Sequence, residues 1–184
     1  MAKVYPQEEA FRACQRETYT IWMKSLVFHS NGCTVYNSNG DIVYRMDNYD
    51  RKGRRQVNLM DLRGTVVCTI QKRLLSFGCW DGYRSSDCDC NNQPWFQAKK
   101  CHTRKVACQI TAGCQKYSIE RTAGKAAFRI VNIAGQVVAE AKQKQSTSGV
   151  VLGKDVLTMD VEGSTDHSLI ISMVTVYGLI CGRM

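Results

Sequence analysis

The chain has 184 residues, of which 44% are hydrophobic and 22% charged, with ten cysteines and a formal net charge of +9. That length fits one domain whose core needs no disulfide staples. The opening stretch MAKVYPQEEAFRACQRETY is polar and no Asn-x-Ser/Thr acceptor occurs, which disfavours a secreted disulfide scaffold and leads us to expect a cytoplasmic or nuclear protein with reduced thiols.

Residues 1–17 read as a polar N-terminal segment, loosely ordered, ahead of a single domain over 18–184. A first strand falls within 18–27, which mixes Tyr19, Ile21, Trp22, Leu26 and Val27. A short pattern then occurs three times: YNSNGDIV at 36–43, MDLRGTVV at 60–67 and VNIAGQVV at 131–138. Each copy has an apolar residue, Asn or Asp, two free positions, Gly, one free position and two β-branched residues. The Asn or Asp side chain starts a type I turn, and the Gly supplies the positive φ of a hairpin that closes through a bulge. The copies are irregularly spaced, so they mark tight antiparallel hairpins rather than a solenoid.

Further strand-like runs lie at 57–60, 65–71, 80–84, 95–98, 106–110, 116–120, 126–131 and 156–161, and a polar loop at 143–149. With the arms of the first hairpin this makes about a dozen short strands, and only two Pro interrupt them. The stretch SLIISMVTVYGLICGRM at 168–184 is different. Its β-branched residues favour a strand, but Ser168, Ser172, Thr175, Gly178 and Gly182 recur at steps of three or four and share one stripe only on a helix. Asp166 stands where an N-cap belongs. A helix over about 166–182 would be apolar nearly all round, yet shorter than the ~20 residues needed to cross a bilayer. It therefore belongs inside something. The expected fold is mainly β: a closed antiparallel barrel of about twelve strands around a central hydrophobic C-terminal helix.

The charge is localised. Residues 91–154 hold eleven basic side chains against Glu120 and Glu140, a surplus of nine that equals the whole net charge. Such a region attracts polyanions, unless it is a solvated strand surface. Two cationic clusters stand out as candidate lipid- or anion-binding residues: Arg51, Lys52, Arg54 and Arg55 at a hairpin tip, and Lys99, Lys100, Arg104 and Lys105, flanked by Trp95 and Phe96. Cations beside aromatics suit a membrane interface or single-stranded nucleic acid.

Cys79, Cys88, Cys90, Cys101 and His102 invite a zinc reading, but no paired C-x-x-C knuckle is present. They read better as a loop that holds thiols, with Cys88 and Cys90 exposed to oxidation. Cys68, Cys108 and Cys181 sit among apolar neighbours as small core residues. Asp155, Asp160, Glu162 and Asp166 lack the EF-hand pattern and read as turn and cap residues, with a looser calcium site as the alternative. No G-x-S-x-G, P-loop or G-x-G-x-x-G motif occurs, and His29, His102 and His167 have no partner at a telling spacing. A non-enzyme without cofactor or metal is expected.

The segments SLVFHSNGCTVYNSNGDIVYRMDNY, VNLMDLRGTVVCTIQKRLLSF, AAFRIVNIAGQVVAEAKQK and VLGKDVLTMDVEGSTDHSLIISMVTVYGL, with Trp80 and Tyr83, closely resemble the plant LURP-one-related family from about Thr18 onward. The loop SSDCDCNNQPW departs from that pattern. The resemblance implies a fold akin to the tubby C-terminal domain and the phospholipid scramblases. Tubby domains bind phosphoinositide headgroups through basic surface residues, tubby proteins act as membrane-tethered transcriptional regulators, scramblases respond to calcium, and LURP-one-related proteins are connected with plant defence. No headgroup ligand of those proteins aligns onto a particular residue here. The leading expectation is a monomeric, non-catalytic module that binds anionic phospholipid or phosphoinositide through its basic surface, with a defence-related role. The alternative is a DNA- or protein-binding regulator; a ligand-binding barrel ranks below both. Position 2 is Ala and no C-terminal prenylation box is present, so membrane contact would be reversible and rest on charge.

Overall fold

A computed structural model describes residues 15–23, 31–48, 55–85, 93–122, 127–146, 148–153 and 155–182. Arg51, Lys52, Arg54, Cys88, Cys90 and the polar segment up to residue 14 lie outside these. The sheet begins with β1 (Glu17–Trp22), β2 (Asn31–Tyr36), β3 (Ile42–Asn48) and β4 (Gln56–Asp61). It continues with β5 (Val66–Lys72), β6 (Cys79–Arg84), β7 (Phe96–Lys100) and β8 (Val106–Ala112). The remaining strands are β9 (Gln115–Arg121), β10 (Phe128–Asn132), β11 (Val137–Gln143) and β12 (Val156–Val161), followed by α1 (His167–Cys181). Each strand pairs antiparallel with its neighbours in sequence, and β1 closes on β12 with Glu17 opposite Val161. The result is a closed barrel without a free edge.

The three repeated turns form as their residues dictate. Asn37 Oδ1 accepts the backbone N–H groups of Asn39 and Asp41 at 3.0 and 2.9 Å. Asp61 does the same for Arg63 and Thr65, and Asn132 for Ala134 and Gln136. Gly40, Gly64 and Gly135 follow with φ of 86°, 81° and 79°. Each of these hairpins carries a register shift beside its turn, at Val35/Tyr36, Leu59/Met60 and Ile130/Val131. The expected bulges are therefore present.

Period-2 alternation turns one face of every strand inward. Ile21, Val35, Leu59, Ile70, Phe128 and Met159 are fully buried. The helix fills the space they enclose, with residues 169–178 all buried. Asp166 caps its first turn by accepting from Leu169 N–H, and Gly182 ends it at φ 65° with its N–H on the Gly178 and Leu179 carbonyls. Within the apolar interior the hydroxyls of the small stripe are satisfied locally. Ser172 Oγ donates to the Ser168 carbonyl at 2.8 Å, and Thr175 Oγ1 to that of Ile171 at 3.0 Å. Tyr177 packs against Phe128 with ring centroids 4.5 Å apart.

Because the strands alternate in direction, the barrel has two distinct ends. The helix starts at the end that holds the β2–β3, β4–β5, β6–β7, β8–β9 and β10–β11 turns, where Asp166 meets Arg84 and Ser168 meets Tyr44. We call this the N-cap end. The helix finishes at the opposite, C-cap end. There the half-buried Leu179, Ile180 and Cys181 pack against the core. Cys181 therefore lies at the rim rather than deep in the interior, while Cys68 and Cys108 are core residues as expected.

Candidate functional site

The C-cap rim gathers cations from several loops. Lys99 and Lys100 end β7, and Arg104 and Lys105 lie in the connection to β8. That connection is held by side chains: Thr103 Oγ1 bridges to both N–H and carbonyl of Val106, and Arg121 at the end of β9 donates to the carbonyls of Thr103 and Arg104. Arg55 precedes β4 on the same rim, where its carbonyl accepts the Lys72 N–H at 2.6 Å. Arg55 and the second cluster thus share one end of the barrel, at hairpins on either side of the β5–β6 loop. The rest of the first cluster, Arg51, Lys52 and Arg54, is outside the described residues.

These cations differ in how free they are. Arg73 is bound to Asp81 at 2.6 Å, and Lys105 approaches Glu120 at 3.7 Å, a carboxylate that Arg129 holds more tightly at 2.9 Å. Arg55, Lys99, Lys100 and Arg104 are exposed and have no carboxylate partner among the described residues. Lys72 and Lys100 occupy the last core-facing registers of their strands, opposite Trp80 and Cys108, so they stand at the mouth above the apolar filling. Lys72 Nζ is 6.0 Å from the Trp80 ring centroid.

The N-cap end has the opposite character. Glu17, Asp61, Asp160, Glu162 and Asp166 lie there; Arg16 pairs with Asp160 and Glu162 and Arg84 with Asp166, while Arg63 and Lys116 stand exposed at the β4–β5 and β8–β9 turns. Asp166 at the N-cap also suits the positive end of the helix dipole.

The aromatics beside the second cluster do not join it. Phe96 is fully buried in the core, and Trp95 stacks under the Arg84 guanidinium at 4.6 Å. A five-residue strand, about 17 Å at ~3.3 Å per residue, separates Trp95 from Arg104. What the rim presents instead is aliphatic and aromatic side chains absent from the candidate residues read in the sequence. Leu74, Leu75 and Phe77 in the β5–β6 loop, and Val150, Val151 and Leu152 between β11 and β12, are exposed. The signal for the first group was the run RLLSF, too apolar for an ordinary loop.

The four acids act locally. Asp155 accepts from Trp22 Nε1 at 3.0 Å, Asp160 accepts from Thr18 Oγ1 at 2.7 Å, and Asp166 caps the helix. Asp155 precedes β12, Asp160 lies near its end and Glu162 and Asp166 follow it, so the strand keeps Asp155 apart from the other three. Among the described residues no group of three or more His, Cys, Asp or Glu is placed to hold a metal ion. Burial pushes the Cys108 thiol up to about 12, with Cys101 and Cys181 adding to the effect, and the Cys68 thiol up to about 11. Both are inert at neutral pH. His167 Nδ1 lies 2.8 Å from Tyr19 Oη, whose other neighbour is Glu17. Burial first, then Glu17, drives the Tyr19 phenol far above its ordinary range. This trio therefore ties β1 to the start of α1. A surface cleft of about 380 Å³ on the β1–β2–β12 wall is lined by hydroxyls of Thr18, Thr20, Ser38 and Thr158, with Lys144 Nζ donating to Thr20 Oγ1 at 2.7 Å. No described helix is long and apolar enough to cross a membrane.

Known proteins agree with this architecture. A crystal structure of an Arabidopsis thaliana protein superposes with a TM-score of 0.67 over 94% of this chain and 95% of that one, at 14% identity, so it speaks for the fold alone. Among curated sequences, Protein LURP-one-related 4 of Arabidopsis thaliana is 43% identical over 190 residues, covering 99% of this chain and 88% of that protein. Protein LURP-one-related 11 of the same plant is 39% identical over 180 residues, covering 90% and 78%. The family model described as LURP-one-related matches residues 17–178, from the first strand to the last turns of the helix. This chain belongs to the LURP-one-related family.

Proposed function

We propose that this protein is a non-catalytic module that attaches reversibly to anionic phospholipid surfaces, phosphoinositide-containing ones included, through the C-cap rim of its barrel. The observation that carries the reading is the sorting of charge: Arg55, Lys99, Lys100 and Arg104 stand exposed at one end without carboxylate partners among the described residues, while acids line the other. A barrel so polarised orients in the field of an anionic surface, rim first. Each Lys or Arg near such a surface contributes ~1 kcal/mol, so a rim of this kind holds a protein weakly and responds to salt. The interior is filled by the helix, which favours work on the outside over catalysis in a cavity. Recruitment of this sort suits a signalling adaptor, including the defence-related role that the family resemblance implies.

The test is co-sedimentation with phosphatidylcholine vesicles, with and without phosphoinositide or phosphatidylserine, at low and raised salt. Wild type is expected to be retained by the anionic vesicles and released by salt, and Arg104→Glu/Lys105→Glu to lose most retention. Equal retention by neutral and anionic vesicles at low salt would refute the reading. Salt-sensitive capture by duplex DNA with no vesicle retention would favour a nucleic-acid-binding regulator instead.

A further inference from the structure

The β5–β6 loop places three large apolar side chains within four residues in full contact with water: Leu74 is 76% exposed, Leu75 99% and Phe77 104%. Scattered exposed apolar residues are ordinary, and the N-cap end has three such, Leu62 on the β4–β5 turn and Ile133 and Val137 on either side of the β10–β11 turn glycine. A contiguous group is not ordinary in a soluble protein and marks a contact surface.

Nor is this loop a loose end. Arg73 N–H bonds the Cys79 carbonyl at 3.0 Å, and Cys79 N–H bonds that of Ser76 at 3.2 Å, closing a turn with Phe77 and Gly78 at its corner. The Gly78 carbonyl accepts from Lys100 N–H at 2.8 Å, which docks the turn onto β7. Gly78 has φ 72°, and a Cβ there would stand 2.9 Å from Lys100 Cβ, so the close docking requires glycine twice over. The Arg73–Asp81 pair fastens the other limb. The fold therefore holds the apolar tip out.

The surroundings say what covers it. Lys72 and Arg73 lead into the tip, Lys100 lies at its base, and the hairpins on either side carry Arg55 and Arg104. An apolar finger between cations complements a surface that is anionic outside and hydrocarbon within, which is the leaflet of an anionic bilayer. We propose that Leu74, Leu75 and Phe77 insert into the interfacial region of such a bilayer while the flanking cations hold headgroups. Val150, Val151 and Leu152 lie on the same rim six strands away, so the two apolar points straddle the barrel mouth. The inference rests on the proposed function and adds insertion to attraction.

The experiment uses the full chain and phosphatidylcholine vesicles with or without phosphatidylserine. Leu75→Ser/Phe77→Ser alters only the tip and keeps every rim cation; its melting temperature is expected to match wild type. Insertion predicts a loss of anionic-vesicle partitioning by about tenfold or more per side chain, and a residual binding of wild type at high salt that the variant lacks. Phe77→Trp, read against the wild-type emission of Trp22, Trp80 and Trp95, is expected to shift to the blue and to be quenched by lipids brominated near the headgroup. If wild type is retained but the serine variant is retained equally and Trp at 77 is not quenched, insertion is wrong and electrostatic attachment stands. If wild type is not retained by anionic vesicles at all, the proposed function falls, and this inference with it.

Discussion

Gly82 faces Phe96 across the β6–β7 pair that carries the rim, and Gly82→Ala tests how tightly that pair is built. A Cβ at position 82 would fall inside the van der Waals envelopes of Phe96 Cε1 and Cζ, and 2.6 Å from Cδ1. Phe96 is fully buried, so its ring has no solvent to retreat into. Overpacking of a closed core typically costs ~1–3 kcal/mol and more where nothing yields. This site belongs at the upper limit, about 3 kcal/mol. At ~2–4 °C per kcal/mol for a chain of this length, the melting midpoint should fall by ~6–12 °C. Thermal melts followed by far-ultraviolet circular dichroism measure it directly. Phe96→Leu should itself be destabilising through the volume it removes, yet the Gly82→Ala/Phe96→Leu double variant should be more stable than the sum of the two single losses by ~1 kcal/mol or more. A Gly82→Ala protein that melts within ~2 °C of wild type, or a double variant no better than additive, would show that the ring does not occupy the space assigned to it.

Asp166→Ala removes the cap on Leu169 N–H and the Arg84 contact; a loss of ~1 kcal/mol is expected, nearly all from the cap because the ion pair is exposed, and Asp166→Asn should recover most of it in the same melts. Asn132→Ala strips two backbone N–H groups of their acceptor at 3.0 Å each; urea unfolding should register ~1–2 kcal/mol, with an unchanged m-value. Cys68 and Cys108 have folded pKa values raised to about 11 and about 12 by burial, from 9.0. Their contribution is complete below pH 9 and is lost as pH rises toward 11–12, because the unfolded thiols ionise while the folded ones cannot. The alkaline fall in melting temperature should accordingly be shallower in Cys68→Ala and Cys108→Ala proteins, and a thiol reagent at pH 8 should label exposed Cys114 while sparing both until the chain unfolds.

Most of the architecture could be read from a few residues with narrow conformational roles. Asn37, Asp61 and Asn132, each three places before a glycine, located three of the hairpins and their bulges. The spacing of Ser168, Ser172 and Thr175 outweighed the β-branched content of the last stretch, and the caps came at Asp166 and Gly182. Closure followed from a helix that had to be hidden. The rim was less legible, because which loops share an end depends on the parity of every strand before them. Reading Trp95 and Phe96 beside Lys99 overlooked that β7 carries Trp95 to one end and Arg104 to the other, with Phe96 turned inward. The tip at Leu74–Phe77 escaped notice because an apolar run ordinarily announces core, and only the barrel shows these side chains outside it.

The seam between β1 and β12 governs how such a molecule comes into being. Eleven of the twelve strand pairings join segments adjacent in sequence and can zip up as they leave the ribosome. The twelfth must wait until Val156–Val161 has been synthesised, and it closes a loop of almost the whole wall, whose entropic cost no local contact offsets beforehand. Until then the sheet is an open ribbon with two bare margins and a greasy concave side, because the segment that will occupy that hollow is made only after the wall. Nascent chains of this topology are therefore natural clients of chaperones, and assembly rather than unfolding is the step at which they are most exposed to aggregation.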